Sequence, residues 1–508
     1  MIGLLIGPLV SQGLWAKTYG GTSYDGALSL VQTGDGGYAV AGYTWSASPS
    51  QDFLVIKINS DGTLSWANAY SGPGAENEAA YSIVQTTDNG YAVAGWTASF
   101  GAGRRDFLIL KINSSGSLSW AKTFGGPDDD IAHSIVRTAD GGYAVAGCTF
   151  QMSNYNYALR VLKLNSDGTL SWARTFGGGT GDDHPWSIIQ TTDGGFVVAG
   201  YTTSFGAGGH DVIVLKLASN GTLSWARTFG GTDWEDALSV IQTIDGGYLV
   251  AGYTWSFGAG NADMLFLRLA SDGTLLWART FGGTGNETAS SVVQTTDGSY
   301  VAVGGFCYEG DEYYDFLVLK LSSDGTLEWA RRLGEYYEDR AYSVAPTSDG
   351  GCVVAGYTES LDPTGYSQVL VLKLGPDGNY PGCVRELSLI PMDVNPSTFS
   401  PSGITVYSPS TSSPSPTPRW PGMSITDICL PVAYEEPGGS LYLSGVTCSP
   451  APGAALFLSR EEMPLSIYAS DGRLVYHGNL MKGENRIPLE TGVYLWCAGS
   501  YKGKAVVR

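Results

Sequence analysis

The sequence predicts an all-β protein whose main part is a closed seven-bladed β-propeller, and three observations support this prediction. Seven tryptophans recur 51 to 54 residues apart. Each begins a copy of one pattern, clearest as WARTFGG…SIIQTTDGGFVVAGYT…DVIVLKLASNGTLSW. Every copy divides into four short segments rich in β-branched and aromatic residues, bounded by Gly and Asp. The tryptophans are Trp15, Trp66, Trp120, Trp172, Trp225, Trp277 and Trp329.

Each copy supplies four strands of one blade. SIVQT is the first strand, GGYAVAGYT follows a tight DGG turn, DFLVLKL follows a longer loop, and TLSWARTF follows an NSDG turn. DFLVLKL is apolar at almost every position, which an antiparallel strand tolerates when neighbouring blades cover both its faces. The glycines and the short segments exclude helices.

The two ends of the repeat predict how the ring closes. The last copy reaches VLVLKL and Gly375 without a Trp strand, whereas the chain begins with an unattached one, LWAKTYG at 14–20. We therefore expect the N-terminal strand to complete the last blade, giving four-stranded antiparallel blades and no open edge.

The chain divides into four predicted parts. Residues 1–13, with the apolar run IGLLIGPLV, resemble a signal peptide cleaved before Leu14, the alternative being a buried strand. The propeller covers 14–380, a Pro/Ser-rich linker 381–440, and a small β domain 441–508. No other run approaches the ~20 apolar residues of a membrane helix.

Charge and cysteine content limit the partners. The net charge of −20 disfavours nucleic acid and anionic lipid, and favours cations or uncharged ligands. Two cysteine pairs, Cys383 with Cys429 and Cys448 with Cys497, are compatible with an oxidising compartment, although the sequence does not fix their connectivity. The four histidines and seven cysteines have none of the spacings of known metal motifs.

A carboxylate lies four residues before the serine of the SIVQT-type strand in every copy. If these strands line the central channel, the seven groups form an acidic ring at its mouth that concentrates cations. Ca²⁺ is a candidate ligand of such a ring. The favoured alternative is that each carboxylate caps its own loop. The seven are Asp25, Glu78, Asp130, Asp183, Glu235, Glu287 and Asp339.

The tight turns and the long loops lie on opposite faces of the predicted ring. A lysine or arginine recurs near the end of the third strand, and we expect it to pair with the aspartate of the DGG turn. Two variable long loops are rich in tyrosine, which suits carbohydrate or peptide binding as a hypothesis. Ordinary loop drift is the favoured alternative. Its candidate residues are Tyr155, Tyr157, Tyr313 and Tyr314.

An enzyme is the less favoured interpretation. The sequence contains no nucleophile elbow, phosphate-binding loop or dinucleotide fingerprint. Paired carboxylates in channel-side loops, Asp128 with Asp130 and Asp182 with Asp183, leave glycoside chemistry as an alternative.

Two resemblances to known families follow from particular motifs. LKLNSDGTLSW resembles the tryptophan-docking pattern of quinoprotein-type propellers, which implies that the Trp strand is outermost and that its ring packs between blades. SIYASDGRLVY (466–476), GENRIPLETGVYLW (483–496) and YKGKAVVR (501–508) resemble the type A C-terminal sorting domain of the bacterial type IX secretion system. That resemblance implies a β-sandwich recognised by the outer-membrane translocon; an Ig-like adhesion module is the alternative.

These observations predict a secreted or cell-surface binding or adhesion protein that uses the long-loop face for a glycan or protein ligand. The propeller portion resembles secreted bacterial repeat proteins of unassigned role. The alternatives are an extracellular polysaccharide hydrolase or lyase and a structural surface-layer component. We predict no catalytic residues and no cofactor beyond the open question of Ca²⁺.

Overall fold

The computed structural model describes residues 13–379 except 47–48, 73–75, 153–154, 178–180, 309, 311–312, 335–336 and 361–365. Beyond 379 it describes the backbones of the strands β29 to β41 given below. The predicted signal peptide lies outside the described residues, apart from Gly13. The four C-terminal cysteine side chains lie outside them too.

Strands are numbered in chain order, and each blade has four positions from the channel outward. The innermost strands are β2 (Asp25–Gln32), β6 (Glu78–Gln85), β10 (Asp130–Arg137), β14 (Asp183–Gln190), β18 (Glu235–Gln242), β22 (Asn286–Gln294) and β26 (Asp339–Pro346). The second strands are β3 (Tyr38–Thr44), β7 (Tyr91–Thr97), β11 (Tyr143–Gln151), β15 (Phe196–Thr202), β19 (Tyr248–Thr254), β23 (Tyr300–Cys307) and β27 (Cys352–Thr358).

The third strands are β4 (Asp52–Ile58), β8 (Asp106–Ile112), β12 (Asn156–Leu164), β16 (Asp211–Leu217), β20 (Asp263–Leu269), β24 (Asp315–Leu321) and β28 (Gln368–Leu374). The fourth strands are β5 (Leu64–Ser71), β9 (Leu118–Gly125), β13 (Leu170–Phe176), β17 (Leu223–Gly230), β21 (Leu275–Gly282), β25 (Leu327–Leu333) and, in blade 7, β1 (Trp15–Gly20). The predicted seven-bladed antiparallel propeller is therefore confirmed.

The ring closes through the N-terminal strand, as the sequence predicts. β1 pairs antiparallel with β28, with Trp15 opposite Lys373 and Tyr19 opposite Val369. Serine hydroxyls also link neighbouring innermost strands, because a bulge in each strand turns the serine toward the next blade. At the closure, Leu30 N–H donates to Ser343 Oγ over 3.0 Å, so the same contact joins blade 7 to blade 1.

The core lies between blades rather than inside one of them. The third strands are buried along all or nearly all of their length, as the apolar DFLVLKL pattern predicts. Side chains from adjacent blades form joint clusters, for example Val55 of blade 1 with Leu108 of blade 2. Burial on both faces explains why these strands do not alternate apolar and polar residues.

Each repeated tryptophan docks against the next blade. Trp172 Nε1 donates to Ser219 O over 3.2 Å, and its ring covers Gly221 in the turn before the outermost strand of blade 4. Gly221 has φ +81°, and a Cβ added there would lie 2.9 Å from the Trp172 ring. The turn thus needs glycine for its left-handed backbone and for the close approach of the ring.

Short strands from the predicted linker add a fifth strand to six blades. In chain order they run past blades 6, 5, 4, 2, 1 and 7, opposite to the blade sequence. Among the described strands, β13 of blade 3 is the fourth strand without such a partner. The six are β29 (Arg385–Glu386), β30 (Ile390–Asp393), β31 (Ser397–Phe399), β32 (Ser410–Ser412), β33 (Thr417–Arg419) and β34 (Ser424–Asp427).

The C-terminal unit contains two antiparallel sheets. One has the order β35-β36-β39 and the other β38-β37-β40-β41. The predicted β-sandwich arrangement of this unit stays a prediction. Its strands are β35 (Val446–Ala451), β36 (Ala454–Ser459), β37 (Met463–Ala469), β38 (Leu474–Leu480), β39 (Gly483–Pro488), β40 (Gly492–Ala498) and β41 (Tyr501–Val507).

Candidate functional site

The long-loop face of the propeller carries exposed aromatic side chains. The topology puts the loops between second and third strands, and those between blades, on this face. Of the twelve exposed large hydrophobic residues in the described part of the chain, all but Ile244 and Leu276 lie in these loops. The ten are Tyr24, Trp45, Met152, Tyr155, Trp234, Trp255, Tyr308, Tyr313, Tyr337 and Tyr366.

Blades 1 and 5 present the same aromatic pair. In blade 5, Trp255 N–H donates to Trp234 O over 2.8 Å, and the two indoles are 45% and 52% exposed. In blade 1, Trp45 N–H donates to Tyr24 O over 2.9 Å, and these side chains are 36% and 45% exposed. Sequence reasoning missed both pairs, although YTWS occurs only at Trp45 and Trp255 and could have indicated them.

The predicted loop tyrosines fall into two separate groups. Tyr155 is 73% exposed and has a left-handed φ of 59°, which is uncommon for a tyrosine. Tyr157 is half-buried, and its ring lies 5.2 Å from Phe150 and 4.8 Å from His184. These residues belong to blade 3, which is not a neighbour of the blade that carries the other two tyrosines.

The blade 6 tyrosines differ from each other in exposure. Tyr313 is 48% exposed and lies 6.1 Å from Tyr337 between ring centres. Tyr314 lies under the guanidinium of Arg340, 3.7 Å from its ring centre, and its backbone N–H donates to Glu338. Tyr313 is therefore available at the surface, whereas Tyr314 also takes part in the packing of the loop.

The seven predicted ring carboxylates are 0–2% exposed. Glu235 accepts hydrogen bonds from Gly231 N–H and Thr254 Oγ1, both over 2.7 Å, and from Ser256 N–H over 3.2 Å. Asp25 accepts from Gly21 N–H over 2.7 Å and from Ser46 Oγ over 2.9 Å. These contacts are those of loop caps, and little of each carboxylate faces solvent.

A second buried carboxylate lies beside several ring members. A Cβ on Gly282 would lie 1.9 Å from Asp263 Oδ1 and 2.5 Å from Glu287 Oε2, so one glycine separates the two acids. Burial, and to a smaller extent the charge of Asp263, raises the pKa of Glu287 to about 7. Burial likewise raises the pKa of Asp106 to about 6, with Asp130 adding to it. Such pairs hold less than their full negative charge at neutral pH.

Three of the four acids considered for glycoside chemistry accept hydrogen bonds from neighbouring strands and loops. Asp130 accepts from Arg160 Nη1 over 2.8 Å and from Gly126 N–H over 2.7 Å. Asp182 Oδ1 accepts from Tyr157 N–H over 2.7 Å, and Asp183 accepts from Ser204 Oγ over 2.9 Å. These bonds give Asp130, Asp182 and Asp183 a structural role in positioning the loops.

The opposite face carries the expected ion pairs. In each blade the basic residue of the third strand reaches the aspartate of the DGG turn, as in Lys216 and Asp193, whose Nζ and Oδ2 are 2.9 Å apart. The seven basic residues are Lys57, Lys111, Lys163, Lys216, Arg268, Lys320 and Lys373. Since the pattern repeats in every blade, it stabilises turns and distinguishes no single site.

Four rings stack between blades 4 and 5. His184, Tyr201, His210 and Trp234 follow one another with ring centres 4.9, 4.0 and 5.0 Å apart and interplanar angles of 14° or less. Buried Asp236 fixes the stack, because its carboxylate lies 2.9 Å from His210 Nδ1 and accepts from the Tyr253 hydroxyl over 2.9 Å. The exposed Trp234 is thus held on a rigid support.

Three side chains in blades 3 and 4 form the one group of His, Cys, Asp or Glu residues with metal-binding proximity in the described part of the chain. His133, Cys148 and His184 each offer a ligand atom, and these atoms lie within 4.8 Å of one another. Burial, and then the positive charge that His184 would carry, lowers the pKa of His133 to about 3. Burial also lowers the pKa of His184 to about 4, so both imidazoles are neutral at pH 7.

Sequence reasoning missed this group, because it looked for ligands close together in the chain. His133 and His184 are 51 residues apart, which is one repeat, and the fold places them on adjacent innermost strands. Cys148 lies on the second strand of blade 3, opposite Ile131. The usable signal was the repeat spacing of two histidines together with the cysteine that replaces tyrosine in AGYT.

The fold and this face define a β-propeller repeat protein with aromatic residues concentrated on its long-loop side. Residues 33–64, 138–170 and 245–275 match a family model described as a domain of unknown function (DUF5122) beta-propeller. Each match runs from a DGG turn to the turn before an outermost strand, in blades 1, 3 and 5.

The chain is also similar to the regulatory protein FlaEY of Caulobacter vibrioides. The two are 28% identical over 230 residues, which cover 39% of this chain and 24% of that protein. The matched region thus spans about a quarter of the relative's length.

Several solved structures are similar to this chain at low identity. Sqt1 from Chaetomium thermophilum is 12% identical, with a TM-score of 0.39 over 69% of this chain and 86% of its own. An endo-1,5-alpha-L-arabinanase from Thermotoga petrophila is 12% identical, with a TM-score of 0.23 over 70% of this chain and 100% of its own. A GH43_12 protein from a capybara gut metagenome is 9% identical, with a TM-score of 0.26 over 76% and 95%. At these identities and TM-scores, the activities of those proteins are not inferred for this chain.

Among the described residues, no helix has the length and apolar character that crossing a membrane requires.

Proposed function

We propose that the protein is a binding protein whose long-loop face holds carbohydrate. The observation that carries this proposal is the repeated pair of exposed aromatic side chains, Trp234 with Trp255 and Tyr24 with Trp45. Exposed aromatic rings pack against the apolar faces of sugars and cover large contact areas at little conformational cost. An uncharged ligand also suits a chain with a net charge of −20.

Rigid support favours binding at the blade 5 pair. Trp234 lies at the end of the ring stack and Trp255 is tied to it through the backbone. A side chain already held in place loses little entropy when a ligand arrives, so its contact contributes more to affinity. Asp233 and Ser256 are the sequence neighbours of the pair, and Asp233 N–H donates to Ser256 Oγ over 2.9 Å, so the two loops that carry the tryptophans are also joined by this bond.

The test is a glycan array probed with the full chain, followed by titration calorimetry on any glycan retained. We expect the double variant Trp234→Ala/Trp255→Ala to weaken binding by about tenfold or more, since about 1.4 kcal/mol corresponds to tenfold in affinity. The matched control is Ile244→Ala/Leu276→Ala, which removes two apolar side chains that are 89% and 58% exposed but lie off this face.

Three outcomes decide between the functional classes. Loss of binding in the tryptophan variant alone supports the proposal. Release of new reducing ends from a polysaccharide would instead favour the hydrolase or lyase. If the wild-type chain retains no glycan and cleaves none, the carbohydrate proposal is wrong, and a structural surface-layer role is favoured.

We also propose that the protein is exported through its C-terminal region and acts outside the cell. The resemblance of 466–476, 483–496 and 501–508 to type A sorting domains supports this. In a host with a type IX system, a chain lacking 464–508 is expected to remain inside the cell. The Ile244→Ala variant serves as the control and should be exported normally. Export of the truncated chain would refute the proposal.

A further inference from the structure

The group of His133, Cys148 and His184 combines three side chains of the types that bind transition metals. Sγ of Cys148 lies 3.6 Å from Nε2 of His133, and one nitrogen of His184 completes a set within 4.8 Å. Nδ1 of His133 and Nδ1 of His184 are both excluded from solvent and have no hydrogen-bond partner in the described part of the chain. Buried polar atoms in folded proteins nearly always have a partner, so two orphaned imidazole nitrogens in one cluster call for an explanation.

We propose that His133, Cys148 and His184 bind a transition metal ion of the borderline or soft class, with Zn²⁺ or Cu⁺ as the ions that fit. Thiolate and imidazole are the ligands these ions prefer, whereas Ca²⁺ and Mg²⁺ require oxygen ligands. The site is independent of the proposed carbohydrate contacts, because none of its three ligands belongs to the exposed aromatic pairs.

The three ligands come from rigid strands of two blades. His133 lies on β10, Cys148 on β11 and His184 on β14, so a bound ion would join blade 3 to blade 4. In tetrahedral sites with bonds of about 2.0–2.3 Å, ligand atoms lie ~3.3–3.8 Å apart. The ligand atoms here are at most 4.8 Å apart, so side-chain rotations that move them by about an ångström would bring them to tetrahedral spacing.

Aromatic rings surround the cluster and limit the directions its imidazoles can take. His133 packs 4.4 Å from Trp186 and 5.4 Å from Tyr81, between ring centres. His184 packs 4.8 Å from Tyr157 and 4.9 Å from Tyr201. An apolar shell of this kind holds metal ligands in place and keeps bulk water away from the ion.

Three protein ligands leave a fourth tetrahedral position for water or an exogenous ligand. Closed structural zinc sites use four protein ligands, whereas sites that exchange a ligand use three. The competing interpretation is a metal-free contact in which the Cys148 thiol donates to His133. That interpretation predicts no stoichiometric metal binding.

The experiment titrates the full chain, first stripped of metal, with Co²⁺ and then with Zn²⁺ in competition. We expect one Co²⁺ per chain, with the intense visible bands of tetrahedral cobalt and a near-ultraviolet thiolate-to-cobalt charge-transfer band, and displacement by Zn²⁺. Cys148→Ser should abolish the charge-transfer band, and His184→Gln should weaken cobalt binding at least 10-fold, as loss of a ligand does in other metal sites.

Two variants serve as controls. Cys352→Ser removes another buried cysteine, from blade 7, and His477→Gln removes a histidine of the C-terminal strand β38. Both should bind cobalt like the wild-type chain, and circular dichroism verifies the fold of every variant. If Cys148→Ser does not fold, the charge-transfer band of the wild-type protein decides. Absence of that band, or bands that persist in Cys148→Ser or vanish in Cys352→Ser, would overturn the proposal.

Discussion

Deletion of β1 (Trp15–Gly20) is expected to remove most of the propeller's stability. The strand is the outermost one of blade 7, and it pairs with β28 on one side and β34 on the other. Tyr19 is 0% exposed and donates from its hydroxyl to Gly62 O over 2.6 Å, while Trp15 Nε1 donates to Ser60 O over 3.1 Å. The strand therefore joins blade 7 to blade 1.

The expected loss follows from these two aromatic residues. Truncating one buried aromatic costs about 3–5 kcal/mol, and the stability of a whole domain is about 5–15 kcal/mol. Losing both aromatic side chains and the strand pairing should therefore leave the propeller largely unfolded at 25 °C. Circular dichroism and chemical denaturation of the deletion variant measure this directly.

Substitutions of Tyr19 distinguish the loss of ring closure from a general effect of shortening the chain. Tyr19→Phe removes only the hydroxyl and should cost about 1 kcal/mol, whereas Tyr19→Ala should cost about 3–5 kcal/mol. A synthetic peptide of residues 14–20 added in trans is expected to restore part of the lost structure. If the deletion variant unfolds at the same denaturant concentration as the full chain, the N-terminal strand does not close the ring.

The sequence was sufficient for the propeller, because the repeat fixes the backbone. The tryptophan spacing gave the number of blades, and the unattached LWAKTYG strand gave the closure that β1 and β28 form. The DGG turn and the basic residue of the third strand recur together, so the ion pair of Lys216 with Asp193 was predictable as well. Each of these features depends on contacts that every blade repeats.

The candidate sites were less predictable, because they depend on contacts between unlike residues one repeat apart. His133 and His184 are about one repeat apart, but they are the fourth residue of β10 and the second of β14, so the repeat indicates adjacent strands without indicating contact between the side chains. The burial of Glu287 and its fellow ring members could not be read from their position before each innermost strand either. Their solvent exclusion comes from loops and glycines contributed by the neighbouring blade.

The linker shows another limit of composition. Its proline and serine content predicts an extended segment, but the pairing of Ser397–Phe399 with β17 depends on backbone hydrogen bonds, which any sequence of suitable shape can form. Outer strands of a propeller present unpaired backbone groups, and covering them reduces edge-to-edge association. Composition alone therefore indicates the conformation of such a segment without indicating its partner.

Replacing Gly221 with alanine is expected to destabilise the protein more than the same change at Gly194, and the pair isolates the contribution of tryptophan docking. Both glycines lie in tight turns of blade 4, and their φ values are +81° and +80°. A left-handed backbone costs a non-glycine residue about 1–2 kcal/mol, so this term is common to both variants. A Cβ at Gly194 has no other atom within 4 Å.

At Gly221 the added methyl group meets the docked indole. It would lie 2.9 Å from two carbons of the Trp172 ring and 3.1 Å from Arg174 Cγ, closer than van der Waals contact permits. Overpacking of this kind costs about 1–3 kcal/mol. Gly221→Ala should therefore lower the free energy of unfolding by about 2–5 kcal/mol, and Gly194→Ala by only about 1–2 kcal/mol.

Urea denaturation of both variants measures the difference, and tryptophan fluorescence reports whether the ring moves. In the background Trp172→Ala the difference between the two glycine variants should largely disappear, because the indole is gone and only the flexible Arg174 side chain remains near the methyl group. Equal costs in the wild-type background would mean that the indole yields without strain. The seven Trp–Gly contacts would then align the blades without contributing the tight packing that this structure assigns to them.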